Sequence, residues 1–435
     1  MFSQHRIAIS ATPYHKSMAT TLPPEQEVKS SGDPATSLEA IMGLERQYVL
    51  QNYGRYPLGL HRGKGCYVYD LDGKRYLDLI SGIGVNSLGY AHPRITKVIR
   101  QQAGLLLHTS NLYYHEYQGR LAERLAQATG LNRTFFCNSG TECVEGALKM
   151  ARAHGNAAGN HKHEIVAVEG SFHGRTLGAL SVTGQPKYRA DFEPLLPGAR
   201  FVPRRDMQAL EAAVNESTAA IILEVIQGEG GIYPLSEPFL RKARELADRF
   251  DALLIFDEIQ CGVGRPGTYF AYQLLDPIVL PDIVVAAKPM ACGIPLGAIV
   301  ANERAARTIR QGMHGSTYGG GPLACRVALE FFDILDELLP SINSTGGYFR
   351  MRLTELARRY NFIREVRGQG LMIGVELDIP GNQIVLEGIK EGLLFNCTHD
   401  TVLRFLPPYI LAEQDVDRAI AVLSKLLARV KPAVA

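Results

Sequence analysis

The chain has 435 residues, too many for one small core, so more than one domain is expected. Apolar residues make up 46% and charged residues 21%, an ordinary globular balance, and a formal net charge of +2 leaves no basic excess for a nucleic-acid or membrane-surface partner. No apolar run is long enough to cross a bilayer, and seven widely spaced cysteines without a Cys-x-x-Cys pair argue for a reducing cytoplasm over a disulfide framework or a thiolate zinc site.

Residues 1–37 are rich in Ser, Thr and Pro, lack apolar periodicity and read as a disordered leader. The first 24 residues hold Arg6 and Lys16 and no acid, a faint transit-peptide composition with too few basic residues, and Met18 is an alternative start. Residues 38–95 open with a helix capped by Ser37, continue through a hairpin around Asp72–Gly73, and are expected to join the C-terminal domain.

Residues 96–324 form the expected large domain. Short apolar runs at Arg133–Phe136, Glu164–Val168, Ala219–Glu224, Ala252–Asp257 and Ile283–Ala287 alternate with amphipathic helices such as Glu142–Ala153 and Pro238–Phe250. That alternation predicts an α/β fold with a mostly parallel sheet buried on both faces, its ligands at the carboxyl ends of the strands. His154, His161 and His163 could hold a metal in principle, but 154–163 is Gly/Asn/Ala-rich and reads as an exposed loop. Residues 325–435 change to helix, short strands at Phe362–Arg367, Leu371–Leu377 and Val402–Phe405, and a final helix from Glu413 to about Val430, a smaller α+β domain.

Two strand cores end in groups with chemistry: Ile255–Gln260 presents Asp257, and Ile283–Lys288 presents Lys288. Alone, such a pair is as compatible with a structural ion pair as with catalysis. Asn138-Ser-Gly-Thr-Glu142 follows a strand and opens a helix, so Ser139, Gly140 and Thr141 can offer backbone N–H groups and hydroxyls to a phosphate, or merely cap the helix. Gly315-Ser-Thr-Tyr-Gly-Gly-Gly-Pro322 is a second hydroxyl- and glycine-rich loop, and Ser171-Phe-His-Gly-Arg175 sets an aromatic ring and a guanidinium at another strand end.

In this order, and with Gln227-Gly-Glu-Gly-Gly231 and Arg404-Phe-Leu-Pro-Pro408, these motifs resemble the class III (omega) aminotransferases of pyridoxal-phosphate (PLP) fold type I, from about Tyr53 to the C-terminus. Gly82–Gly89 and His173–Tyr188 are most similar to the members that act on acetylornithine. The resemblance implies a seven-stranded-type, mostly parallel sheet in a large PLP-binding domain and a small α+β domain built from both termini. It also implies a homodimer with shared active sites. It implies that Lys288 holds PLP covalently and moves a proton, that Asp257 pairs with the pyridine nitrogen, and that Gln260 bonds the ring's phenolic oxygen while Phe172 stacks on the ring. Ser139, Gly140 and Thr141 are then phosphate ligands, with Thr317 reaching in from the other subunit. Arg175 and Ser316 bind the amino donor, Arg404 binds the alpha-carboxylate of glutamate or 2-oxoglutarate, Glu229 neutralises Arg404, and Tyr53 lines the pocket.

The sequence departs from the family at Pro289 and Cys292 after the lysine, at Val225 and at Tyr90. Pro289 is expected to hold Lys288 extended, and Cys292 to bring a thiol near the cofactor. The reading is transfer of the terminal amine of acetylornithine to 2-oxoglutarate. The alternatives are ornithine, succinylornithine, acetyl-lysine or 4-aminobutyrate as donor, or a non-catalytic PLP-binding protein. A dinucleotide oxidoreductase lacks its Gly-x-Gly-x-x-Gly fingerprint here.

Overall fold

The computed structural model describes residues 37–157 and 161–430, so the leader and the Met18 start lie outside the described residues. The chain divides into two compact units, Met1–Gly59 and Leu60–Ala435. In the first, the helix Leu38–Tyr48 begins at Ser37, whose Oγ accepts from Ala40 N at 3.2 Å, the cap that the sequence predicts.

In the second unit, the hairpin of Tyr67–Asp70 and Arg75–Asp78 turns on Asp70, whose Oδ1 accepts from Asp72 N and Lys74 N. It belongs to a four-stranded sheet with Leu60–Lys64 on one side and Leu393–Leu394 on the other. Leu393–Leu394 pairs parallel with Arg75–Asp78, so N- and C-terminal residues share this sheet.

The seven-stranded sheet carries the site. Its order is Arg133–Cys137, Gly297–Ala301, Ile283–Ala286, Leu253–Asp257, Thr218–Leu223, Glu164–Val168, Ala199–Val202. Gly297–Ala301 runs antiparallel to both neighbours, and the other pairs are parallel. Thr218–Leu223, Leu253–Asp257 and Ile283–Ala286 are buried at every residue, which is why they read as unbroken apolar runs rather than alternating ones. The register pairs Phe256 with Leu223 and Asp257 with Val285. Glu224, Asp257 and Lys288 therefore leave three adjacent parallel strands at the same edge of the sheet.

A second antiparallel sheet runs Ile363–Gln369, Met372–Leu377, Val402–Phe405, Asn396–Thr398. The helix Pro322–Ala357 packs on its first strand and on the helix Glu413–Leu427. Two expectations need correction. The stretch 154–163 is not an exposed loop throughout: the helix Gly140–Ala157 runs through His154, which is buried with Nε2 bonded to Asp251 O at 3.1 Å. The strands Ala199–Val202 and Gly297–Ala301 were not read from the sequence. Among the described residues no helix is long and apolar enough to cross a membrane.

Candidate active site

At the carboxyl edge of the seven-stranded sheet lies a cavity of about 410 Å³, within the usual range for a small-molecule site. Lys288, Asp257, Gln260, Phe172, Arg175, Glu229, Ser139, Gly140 and Thr141 all line it. Nine expected site residues, drawn from five separate segments, thus converge on one pocket.

Lys288 opens a short 3-10 turn, Lys288–Ala291, at a φ of +22°. Pro289 therefore does not hold it extended. The tight turn after the strand forces a left-handed φ that a non-glycine residue adopts only at a cost of roughly 1–3 kcal/mol. Burial lowers the pKa of its amine, the Arg404 charge acts in the same direction, and Asp257 and Glu229 oppose them. Cys292 is not among the lining residues, and burial pushes its thiol up to about 12.

Asp257 is 3% exposed. Its Oδ1 accepts from Ile259 N at 3.1 Å and its Oδ2 from His173 Nδ1 at 2.7 Å. Ser139 caps the helix Gly140–Ala157, its Oγ accepting from Glu142 N at 3.3 Å. Glycine is required at 140: a Cβ there would meet Ile259 Cδ1 and Cγ2 at 2.8 Å. The Thr141 hydroxyl already accepts from Arg175 N and Thr176 N and is bonded to Thr176 Oγ1 at 2.9 Å, so it ties two site loops together.

The two arginines differ sharply. Arg175 is exposed, stacks over Tyr188 at 4.0 Å and lies 5.5 Å from the Phe172 ring, and has no ion-pair partner among the described residues. Arg404 is 1% exposed. It donates to Glu229 Oε1 at 2.6 Å, to Gln260 Oε1 at 3.2 Å and to Asn396 Oδ1 at 3.1 Å. Burial raises the Glu229 carboxyl, but Arg404 beside it more than reverses this, so Glu229 titrates below its ordinary value. Arg404 stands behind Glu229 and Gln260, which face the cavity in its place.

Besides Arg404, two expected residues, Ser316 and Thr317, are not among those that line this pocket. Ser316 lines a separate cleft with Asn111, His115 and Gln118, and accepts from Asn138 Nδ2 at 3.3 Å. Thr317 lies exposed in the same loop. Tyr53 belongs to the unit ending at Gly59, where Arg55 lies 5.8 Å from its ring. The sequence reading assigned no role to His173 or to Glu224, whose carboxylate accepts from Phe172 N and Gly228 N. Their signal was present, an acid ending an apolar strand and a histidine beside Phe172, but it takes the strand order to see that they adjoin Asp257.

The description of the class-III aminotransferases matches residues 48–427. The chain belongs to the class-III aminotransferase family. An acetylornithine aminotransferase of Methanocaldococcus jannaschii is 46% identical over 398 residues, 91% of this chain and all of that one. One of Aquifex aeolicus is 46% identical over 381 residues, 87% of this chain and all of its own. Among solved structures, the ornithine aminotransferase of Toxoplasma gondii superposes with a TM-score of 0.86 at 32% identity, covering 90% of this aminotransferase and 95% of that chain. The N-acetylornithine aminotransferase of Stenotrophomonas maltophilia does so with 0.77 at 34% identity, covering 89% and 98%. The expected α/β fold of fold type I is therefore the fold of this aminotransferase.

Proposed function

We propose that this aminotransferase moves the terminal amino group of N-acetylornithine to 2-oxoglutarate with PLP as cofactor, giving N-acetylglutamate semialdehyde and glutamate. The observation that carries this reading is the pairing of Arg404 with Glu229 at 2.6 Å behind a pocket that is also lined by Arg175, which has no ion-pair partner among the described residues. One carboxylate site is open and one is occupied by the protein's own carboxylate. That suits a donor with one free carboxylate and a reacting amine at its far end.

The residues fit PLP on their own chemistry. A desolvated lysine amine, a buried carboxylate and a helix start at which a Cβ has no room line one cavity. Lys288 would hold the aldehyde carbon, Asp257 the pyridine nitrogen, Gln260 the phenolic oxygen, Phe172 the ring face, and Ser139–Thr141 the phosphate. Bound there, PLP supplies the electron-withdrawing ring that takes up charge from the reacting carbon.

The chain's own groups do the rest. Arg175 holds the donor carboxylate by a charge-assisted, two-pronged contact. Lys288 Nζ, its pKa lowered, takes the proton from the carbon bearing the amine. When glutamate or 2-oxoglutarate enters, Glu229 moves aside and Arg404 receives the near carboxylate while Arg175 receives the far one.

We also infer a homodimer. Leu105, Leu107, Leu112, Tyr113 and Tyr114 are exposed, and Asn111 among them donates to Ser316 O and Gly319 O, so this apolar stretch adjoins the Thr317 loop. A partner covering it would meet Thr317. An amino-donor panel with 2-oxoglutarate as acceptor, read out as glutamate, tests the reading. Acetylornithine is expected to lead, and a clear preference for ornithine, the donor named for the Toxoplasma gondii structure, would reassign it.

A further inference from the structure

Three adjacent parallel strands deliver three groups to one buried spot beneath the cavity. Leu253–Asp257 ends at Asp257, Thr218–Leu223 leads into Glu224, and the loop after Glu164–Val168 brings in His173. The His173 side chain is fully covered. Its Nδ1 lies 2.7 Å from Asp257 Oδ2, its backbone N donates to Thr183 Oγ1 at 3.0 Å, and its Nε2 is buried with no hydrogen-bond partner among the described residues.

These contacts decide the proton's place. A carboxylate oxygen accepts, so Nδ1 carries the hydrogen. A second proton on Nε2 would be a buried cationic donor with nothing to receive it, which is costlier than a bare ring nitrogen. His173 is therefore neutral, with its hydrogen on Nδ1. Packing alone does not call for such a residue, because a leucine there would remove an unpaired buried nitrogen.

A neutral donor does what a cation would not. Asp257 receives two N–H groups, from His173 and from Ile259, and neither cancels its charge. The carboxylate is held ionised and fixed in direction, yet its negative charge stays available on the cavity side. Glu224 faces the same spot: burial pushes it up to about 7, a positive charge on His173 would act against that rise, and the like charge of Asp257 adds to it. The other charged groups about the cluster are the buried Glu258 carboxyl and the Lys288 amine, with Glu229 and Arg404 beyond it.

Resting on the PLP reading above, we propose that His173 is a positioning residue. Its neutral imidazole orients Asp257 and keeps it ionised, so that the cofactor's pyridine nitrogen stays protonated.

The test uses wild type, His173→Leu and His173→Asn, the last placing an amide N–H near the position of Nδ1. Imidazole ¹⁵N spectra of the wild-type protein, with and without cofactor, are expected to show a neutral His173 with hydrogen on Nδ1. A doubly protonated His173, or hydrogen on Nε2, overturns the proposal even if neither variant folds. Each protein is then loaded with PLP labelled with ¹⁵N in the ring. Wild type and His173→Asn are expected to hold a protonated ring nitrogen and His173→Leu a bare one. The kcat of His173→Leu is expected to fall roughly 10- to 100-fold, with KM for the amino donor little changed. A protonated ring nitrogen in His173→Leu, or equal kcat losses in both variants, overturns the proposal while leaving the PLP reading intact. A wild-type protein that takes up no PLP overturns both.

Discussion

Lys288 is the residue on which the account rests most heavily, and its removal has a separable signature. Lys288→Ala is expected to lower turnover by several orders of magnitude while the fold survives, because the side chain is desolvated rather than structurally bonded. Near-normal turnover, followed as glutamate formed, would move the site elsewhere. Asp257→Asn keeps the shape and removes the charge, so the rate is expected to fall by orders of magnitude while PLP still binds, measured by equilibrium dialysis. Glu224 makes a prediction about pH. Its folded-state pKa is raised from 4.5 to about 7, with burial as the main cause. A carboxyl raised on folding stabilises the fold fully only below its unfolded value, and that contribution is lost as pH rises through the folded one. Glu224→Gln is therefore expected to gain stability relative to wild type between pH 5 and pH 8, on the order of 1–3 kcal/mol. Denaturant unfolding of both proteins at the two pH values checks it, and a constant difference would show that Glu224 does not titrate in that window.

At the scale of elements, the long helix Pro322–Ala357 shows what the sequence hides. It runs 36 residues through Pro340 and the pair Gly346–Gly347, any of which reads locally as a break. Tertiary contact overrides that local preference. A Cβ on Gly346 would stand 2.2 Å from Gly370 O, so the helix needs glycine there to let a turn backbone approach. Gly347, one residue on, has nothing within 4 Å of the same position. Gly346→Ala is expected to cost roughly 2–4 kcal/mol, because a backbone oxygen cannot step aside. Gly347→Ala is expected to stabilise by about 0.5–1 kcal/mol through helix propensity. Thermal unfolding of the two variants decides the matter, and equal shifts would mean the helix is not fixed against the Gly370 turn. Some strands were easier to read. Glu164–Val168 and Val402–Phe405 have the bounds expected of them, since short, mostly apolar buried runs carry their own signal. Gly297–Ala301 is small-residued, follows Pro295 and runs against its neighbours, so no βαβ alternation announces it.

For the whole molecule, the motifs told which side chains carry chemistry, and the topology told which of them meet. Asp257 and Lys288 were expected at adjacent strand ends, and the pairing of Asp257 with Val285 in neighbouring parallel strands puts them there. Glu224 and His173 escaped because strand order, unlike strand identity, is set by long-range packing. The resemblance gave Arg175 and Arg404 different roles, and burial separates an exposed guanidinium, without an ion-pair partner among the described residues, from one held by Glu229. That separation is the central claim: one pocket serves two substrates because a protein carboxylate stands in for the second one. Its most direct test is single-turnover change of the cofactor absorption in Arg404→Ala and Arg175→Ala, with acetylornithine and with glutamate measured separately. The account predicts that Arg404→Ala slows the glutamate half-reaction far more than the acetylornithine half-reaction, and that Arg175→Ala slows both. Losing a desolvated, charge-assisted pair costs about 2–5 kcal/mol, a gap easily read in rates. Equal losses in both half-reactions for Arg404→Ala would contradict the account and leave Arg404 a structural charge.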